Sequence, residues 1–215
     1  MTTAPPPRRR AADDTLDSAV PAAPEQAYRS GAYSLLAALL RAAPDDATLR
    51  HIAGLDRHPP GERRDNDLPI ALSTLALAAR DAAADDLADE YHRLFIGLGR
   101  GELVPYGAWY QTGFLMERPL GALRDDLAAL GFERADDVKE PEDHVAALFE
   151  VMALLITDGA DERAQWTFFE RHIDSWIDRF FTDLSNARAA AFYTAAARFG
   201  QAFVAFERRY LGMPA

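Results

Sequence analysis

Apolar side chains recur along most of this chain at the three- and four-residue spacing of one helix face. Over Glu25 to Ala43, Tyr33, Leu36 and Leu40 share a face, with Leu35 and Leu39 beside it. Pro44-Asp45-Asp46 ends that helix and starts a second, with Leu49 and Ile52 inward. The stretch from Asp56 to Asp67 holds Pro59-Pro60-Gly61 and many charges and reads as a loop. Leu68 to Ala83 is rich in Ala and Leu. Asp85 to Leu98 carries Leu87, Tyr91, Leu94, Phe95 and Leu98 on one stripe. Gly97 to Tyr110 breaks the pattern: it is glycine-rich and aromatic and reads as irregular. Pro119 to Leu130 is helical again, with Gly131 as its C-terminal stop, and Phe132 to Lys139 reads as a hinge.

The most apolar helix follows Glu140-Pro141-Glu142-Asp143-His144. Pro141 suits a first helical turn, where a missing N–H costs nothing. The three carboxylates lie near the positive end of the helix dipole. Helical geometry then puts His144 at the mouth of the stripe formed by Leu148, Met152 and Leu155, and Asp143 toward the rim. Two aromatic seams close the chain. Trp166, Phe169, Ile173, Trp176 and Phe180 lie within Glu162 to Leu184; Phe192, Phe199, Phe203, Phe206 and Tyr210 lie within Ala187 to Leu211. Both read as core. No stretch alternates with period two. The pattern predicts an all-α fold of about eight helices. Its division is a disordered tail over 1–24, an N-terminal helical part over 25–138 and a smaller C-terminal part over 139–215.

Composition narrows the function. The chain has 215 residues, a formal net charge of −11 and no cysteine. An acidic surface repels nucleic acid and anionic lipid and favours a basic partner. Without cysteine there are no disulfides, thiolate metal sites or cysteine nucleophiles. No apolar run is long enough to cross a bilayer. Pro5-Pro6-Pro7-Arg8-Arg9-Arg10 contains paired arginines, but Ala-Ala-Asp-Asp follows where an export signal needs an apolar segment. The protein is therefore not expected to leave the cell by that route.

Candidate chemistry is sparse. Asp143 beside His144 fits an acid–base pair, and fits equally a helix cap next to a core-edge histidine. No Gly-x-Ser-x-Gly accompanies them. The five histidines form no His-Glu-x-x-His, and an acidic-x-x-His spacing occurs once, at Asp89 to His92, where a di-iron bundle needs two. Neither a resident metal nor a catalytic residue is expected. Gly97-Leu98-Gly99-Arg100-Gly101 lacks the Lys-Ser/Thr of a phosphate loop. Tyr106, Trp109 and Tyr110, next to these glycines, could form a mobile wall for apolar side chains or simply fill the core.

Glu-Pro-x-Asp-His ahead of an apolar, Met-containing helix resembles the signature of the TorD/DmsD family, the maturation chaperones of molybdenum-containing redox enzymes. Glu90-Tyr91-x-Arg93-Leu94-Phe95-x-Gly97 with Pro105-Tyr106 resembles an earlier block of that family, and Phe169-x-x-His172 with Trp176, Phe180 and Phe192-Tyr193 a later one. Members often carry Ser after Pro-Tyr, where this chain has Gly107-Ala108. The resemblance implies a cytoplasmic chaperone. It would bind the twin-arginine signal peptide and apo form of a molybdopterin-dependent oxidoreductase until its cofactor is inserted. It implies a peptide site at Asp143 and His144, to which Glu140 and Glu142 add charge and Tyr106, Trp109 and Tyr110 an apolar lining. No resident cofactor is implied, although some members bind guanine nucleotides. The expected state is a monomer whose hinge would permit a swapped dimer, with no nucleic-acid partner and no stable membrane insertion. A small helical hydrolase or lyase using Asp143 and His144, and an acidic adaptor, are the alternative classes.

Overall fold

The computed structural model describes residues 8–9, 24–55, 67–97, 100–133 and 140–212. The all-α expectation holds. Ten α-helices form among these residues, and the one strand pairing is a two-residue antiparallel ladder between Arg8–Arg9 and Phe132–Glu133. Two residues assigned to the disordered tail thus pair with the start of the expected hinge. The remainder of the tail up to residue 23, the Pro-rich loop over 56–66 and the hinge over 134–139 lie outside the described residues.

The chain forms two compact units, each assembled from two separated stretches. The linear division at residue 138 does not follow these units, because the first helix finds its packing partner more than a hundred residues later. In the first unit, α1 (Pro24–Arg41) packs on α7 (Val145–Thr157). The apolar faces expected from the sequence meet there. Tyr33, Leu36 and Leu40 are buried, as are Leu148, Met152 and Leu155, and Tyr33 meets Phe149 edge-on at 5.6 Å. Arg41 forms a bidentate ion pair with Glu150 across the same pair of helices, at 2.7 and 2.5 Å. The unit also holds α5 (Gly107–Thr112) and α6 (Arg118–Ala129), which pack together, and α8 (Glu162–Phe169), which packs on α7.

The second unit holds α2 (Asp46–Ala53), α3 (Asp67–Asp81), α4 (Ala84–Tyr91), most of α9 (Ser175–Asn186) and α10 (Phe192–Leu211). The helix α3 packs on both α2 and α10. Asp45 caps α2 by accepting from Thr48 N–H at 2.8 Å. The helix α4 runs on into a π-helical turn over His92–Ile96, and α8 reaches α9 through another over Glu170–Asp174. The stretch expected as one helix over 162–184 is therefore divided by a widened turn into α8 and α9. That division, and the addition of α5, raise the expected count of about eight helices to the ten observed.

Candidate functional site

The pentad does not form the first turn of α7. The helix begins at Val145, and His144 is its N-cap. Pro141 to His144 is instead a turn, closed by His144 N–H donating to Pro141 O at 3.2 Å. The imidazole takes the cap role usually filled by Ser or Asp: its Nδ1 accepts from Ala146 N–H at 3.2 Å. Protonation would remove that lone pair. Burial, and secondarily the Arg41 guanidinium, push the His144 pKa down to about 3, so the ring is neutral across the physiological range.

The reason lies at α5. The backbone of His144 pairs with Tyr106 in an isolated antiparallel bridge, which holds His144 extended at φ −61° and ψ 133°. Gly107 N–H donates to Asp143 O at 2.9 Å, and Ala108 N–H donates to the Asp143 Oδ2 at 2.8 Å. Asp143 therefore serves the N-terminus of α5 and not that of its own helix. It is not at the rim: it is 4 % exposed. Burial raises its pKa, against the opposing Ala108 bond.

The remaining predicted residues separate into two groups. The Tyr106 hydroxyl donates to the Glu140 carboxylate, and the Tyr106 ring meets His144 edge-on at 5.1 Å. Tyr106 and Trp109 are half-buried and Glu140 is exposed. Tyr106 and Glu140, with Asp143 and His144, form one cluster around the start of α5, and Trp109 lies in the first turn of that helix. The other two are engaged elsewhere. Glu142 is bonded to Arg124 of α6, at 3.0 and 2.9 Å. Tyr110 is buried and stacks on Trp176 at 5.5 Å. It supports α5 from behind and does not line an open wall.

Two features escaped the sequence reading. Glu90, on the apolar face of α4, is buried and accepts from the N–H groups of Ala191, Phe192 and Tyr193 at 2.8, 3.2 and 2.9 Å. Its position one turn from Leu87 and Leu94 was a legible signal, since an acid on an apolar stripe needs a partner. The second is the tripeptide Phe114-Leu115-Met116 between α5 and α6, where three large apolar side chains are all exposed. Among the described residues no group of three or more His, Cys, Asp or Glu side chains could hold a metal ion, and no helix is long and apolar enough to cross a membrane.

Residues 62–182 match the nitrate reductase delta subunit family. The chain belongs to that family. It is the TorD-type family to which the pentad pointed. Among its relatives is the chaperone protein TorD of Vibrio cholerae, 30% identical over 146 residues, which cover 63% of this chain and 66% of the relative. The TorD of Shewanella loihica is 27% identical over 184 residues, or 80% of this chain and 82% of that one. A candidate redox enzyme maturation protein from Archaeoglobus fulgidus has a similar fold, with a TM-score of 0.50 at 16% identity, covering 89% of this chain and 98% of that one. In this TorD-type chain the pentad is the tie between α5 and α7.

Proposed function

We propose that this protein is a cytoplasmic, non-enzymatic chaperone. It binds the twin-arginine signal peptide and apo form of a molybdopterin-dependent oxidoreductase and holds the precursor until the cofactor is inserted. Asp143 carries this reading. It is a buried carboxylate that accepts from Ala108 N–H and whose pKa burial raises. It lies in a cluster with exposed Glu140 and half-buried Tyr106, and half-buried Trp109 lies in the first turn of α5. A carboxylate in that setting gains from further donors, and a guanidinium supplies two in a planar fork. Half-buried aromatics can hold the stem of the same side chain and the apolar residues near it. TorD relatives named as chaperones support the same reading.

An acid–base enzyme fits the geometry less well. The Asp143 side chain bonds to Ala108 and the His144 ring to Ala146. The two do not form the carboxylate–imidazole pair that general-base chemistry would use.

Titration calorimetry with twin-Arg, twin-Lys and twin-Ala peptides tests the proposal on wild type and Asp143→Asn. Asparagine keeps an acceptor for Ala108 and removes the charge. Binding of the twin-Arg peptide should weaken about tenfold or more, or 1.4 kcal/mol, while twin-Ala binding should not change further. Equal binding of twin-Lys and twin-Arg would favour an acidic adaptor that reads charge alone. Equal losses for twin-Arg and twin-Ala would show that Asp143 does not read arginine.

A further inference from the structure

The loop between α5 and α6 exposes three consecutive large apolar side chains: Phe114 at 68%, Leu115 at 49% and Met116 at 70%. Isolated exposed hydrophobics are ordinary; a contiguous run without a function is not. The local backbone holds them outward. Gly113 stops α5 in the left-handed region at φ 83°. The Thr112 hydroxyl accepts from Phe114 N–H at 3.2 Å and lies 2.8 Å from Ala108 O, to which it donates. Met116 itself sits at φ 59°, a left-handed conformation that costs a side-chain-bearing residue energy. The turn is therefore fixed, and it presents the three side chains to solvent at a conformational cost.

Charge decides what can cover them. Residues 106–176 carry fifteen acidic and six basic side chains, a net −9 of the chain's −11. A second copy of the chain would bring its own net charge of −11, and an anionic membrane would be repelled for the same reason. A segment that joins cationic to apolar residues is attracted at both ends. The spacing agrees. The helix α5 has six residues, about 9 Å of helix. It has Asp143 bonded at its first turn, and the apolar tripeptide follows its last. About three extended residues span that distance.

We propose that Phe114, Leu115 and Met116 are the apolar half of a two-part dock, which takes the hydrophobic stretch of a peptide whose arginines lie at the Asp143 end of α5. This rests on the peptide-binding reading above and extends it to a second contact and a defined spacing.

The test uses the full chain and two synthetic probes. Both begin with Arg-Arg and a three-residue spacer; one continues with a leucine-rich run, the other with serine and glycine. Phe114→Ser combined with Met116→Ser should leave the melting temperature unchanged. It should weaken the leucine probe tenfold or more and leave the serine–glycine probe unaffected. Met116→Gly provides a variant that cannot fail for backbone reasons, because glycine suits φ 59°. It should hold or raise the melting temperature while weakening the leucine probe about threefold. If both variants bind the leucine probe as wild type does, the dock is wrong while arginine binding stands. If wild type binds neither probe, the peptide-binding reading falls and the dock falls with it. If sedimentation shows a wild-type dimer that the double variant abolishes, with affinity for the leucine probe unchanged, the tripeptide is a contact between copies and the dock is overturned.

Discussion

Both units of this protein use a carboxylate from a distant segment to start a helix, and the two carboxylates differ in how completely they are served. Glu90 receives three backbone N–H groups from residues 191–193. Nearby, Glu102 receives those of Arg188 and Ala189 at 2.7 and 3.2 Å, led by Arg188, which hold its carboxyl below the usual range. The start of α10 is thus held by two well-supplied anions. At α5, Asp143 accepts from Ala108 N–H, with weaker help from its own N–H, and burial still raises its pKa. A carboxylate saturated by its own chain is a structural clamp. One whose charged form burial still disfavours holds its helix and gains from a nearby cation.

The clamp should be costly to break. Glu90→Ala leaves the buried N–H groups at the start of α10 without acceptors and should cost about 3 kcal/mol or more, read by chemical denaturation. Glu90→Gln keeps one acceptor oxygen and should cost less, and neither should alter peptide affinity in the fraction that folds. A loss under about 1 kcal/mol for the alanine variant would show that the two caps do not differ in kind.

Glycines in the two units should show the same order. A Cβ on Gly200 would sit 2.2 Å from the Phe181 ring, and Gly200→Ala should cost about 2 kcal/mol through forced repacking. A Cβ on Gly107 would meet Trp176 Nε1 at 3.3 Å. Gly107→Ala should cost about 1 kcal/mol or less, since alanine also favours the helix. Reversal of this order would mean that the start of α5 is the more tightly packed junction.

Much of the fold could be read from the sequence, and the failures share a cause. The helices α1, α7 and α10 were legible because packing alone demands their apolar faces. The helix α5 was not, because Gly107 to Thr112 has little helical pattern of its own and its cap, Asp143, lies 35 residues away. The pentad misled for the same reason. Pro and Asp read locally as a helix start, but Asp143 was committed to another helix and His144 took its place. The π-helical turns left no mark, since one widened turn changes neither composition nor periodicity enough to see. At the site, the residue types were legible and their assignments were not. Glu142 proved to be paired with Arg124 and Tyr110 with Trp176, and only coordinates show a partner.

A smaller effect would sharpen the contrast at Asp143 itself. Because asparagine retains the Ala108 bond, Asp143→Asn should change stability by less than about 1 kcal/mol while weakening twin-Arg peptide binding. A loss of stability as large as that of Glu90→Ala would make Asp143 a clamp of the same kind and remove the argument for spare attraction.

A comparably small effect concerns His144 and pH. Its folded pKa of about 3 lies below the ordinary 6.5. When the chain unfolds, the ring regains its ordinary affinity for a proton. Between pH 6.5 and 3 the unfolded state therefore binds a proton that the folded state refuses, and stability falls as pH falls through that window. The loss approaches 1.4 kcal/mol per pH unit once the unfolded ring is fully protonated, and amounts to about 1 kcal/mol between pH 6.5 and 5.5. His172 contributes with the same sign, since burial lowers its pKa against the opposing pull of Asp126. Asp143 acts oppositely: its raised pKa lets the folded state gain protons in the carboxylate range, which offsets part of the loss there. The comparison is thus cleanest above pH 5. His144→Gln retains an acceptor for Ala146 N–H and cannot titrate. Denaturation at pH 6.5 and 5.5 should show a decline about 1 kcal/mol smaller in this variant than in wild type. An equal decline in both would mean that the ring accepts a proton in the folded state. Nδ1 would then not be the cap of α7, and the tie from α7 to α5 would rest on Asp143 and the Tyr106 bridge alone.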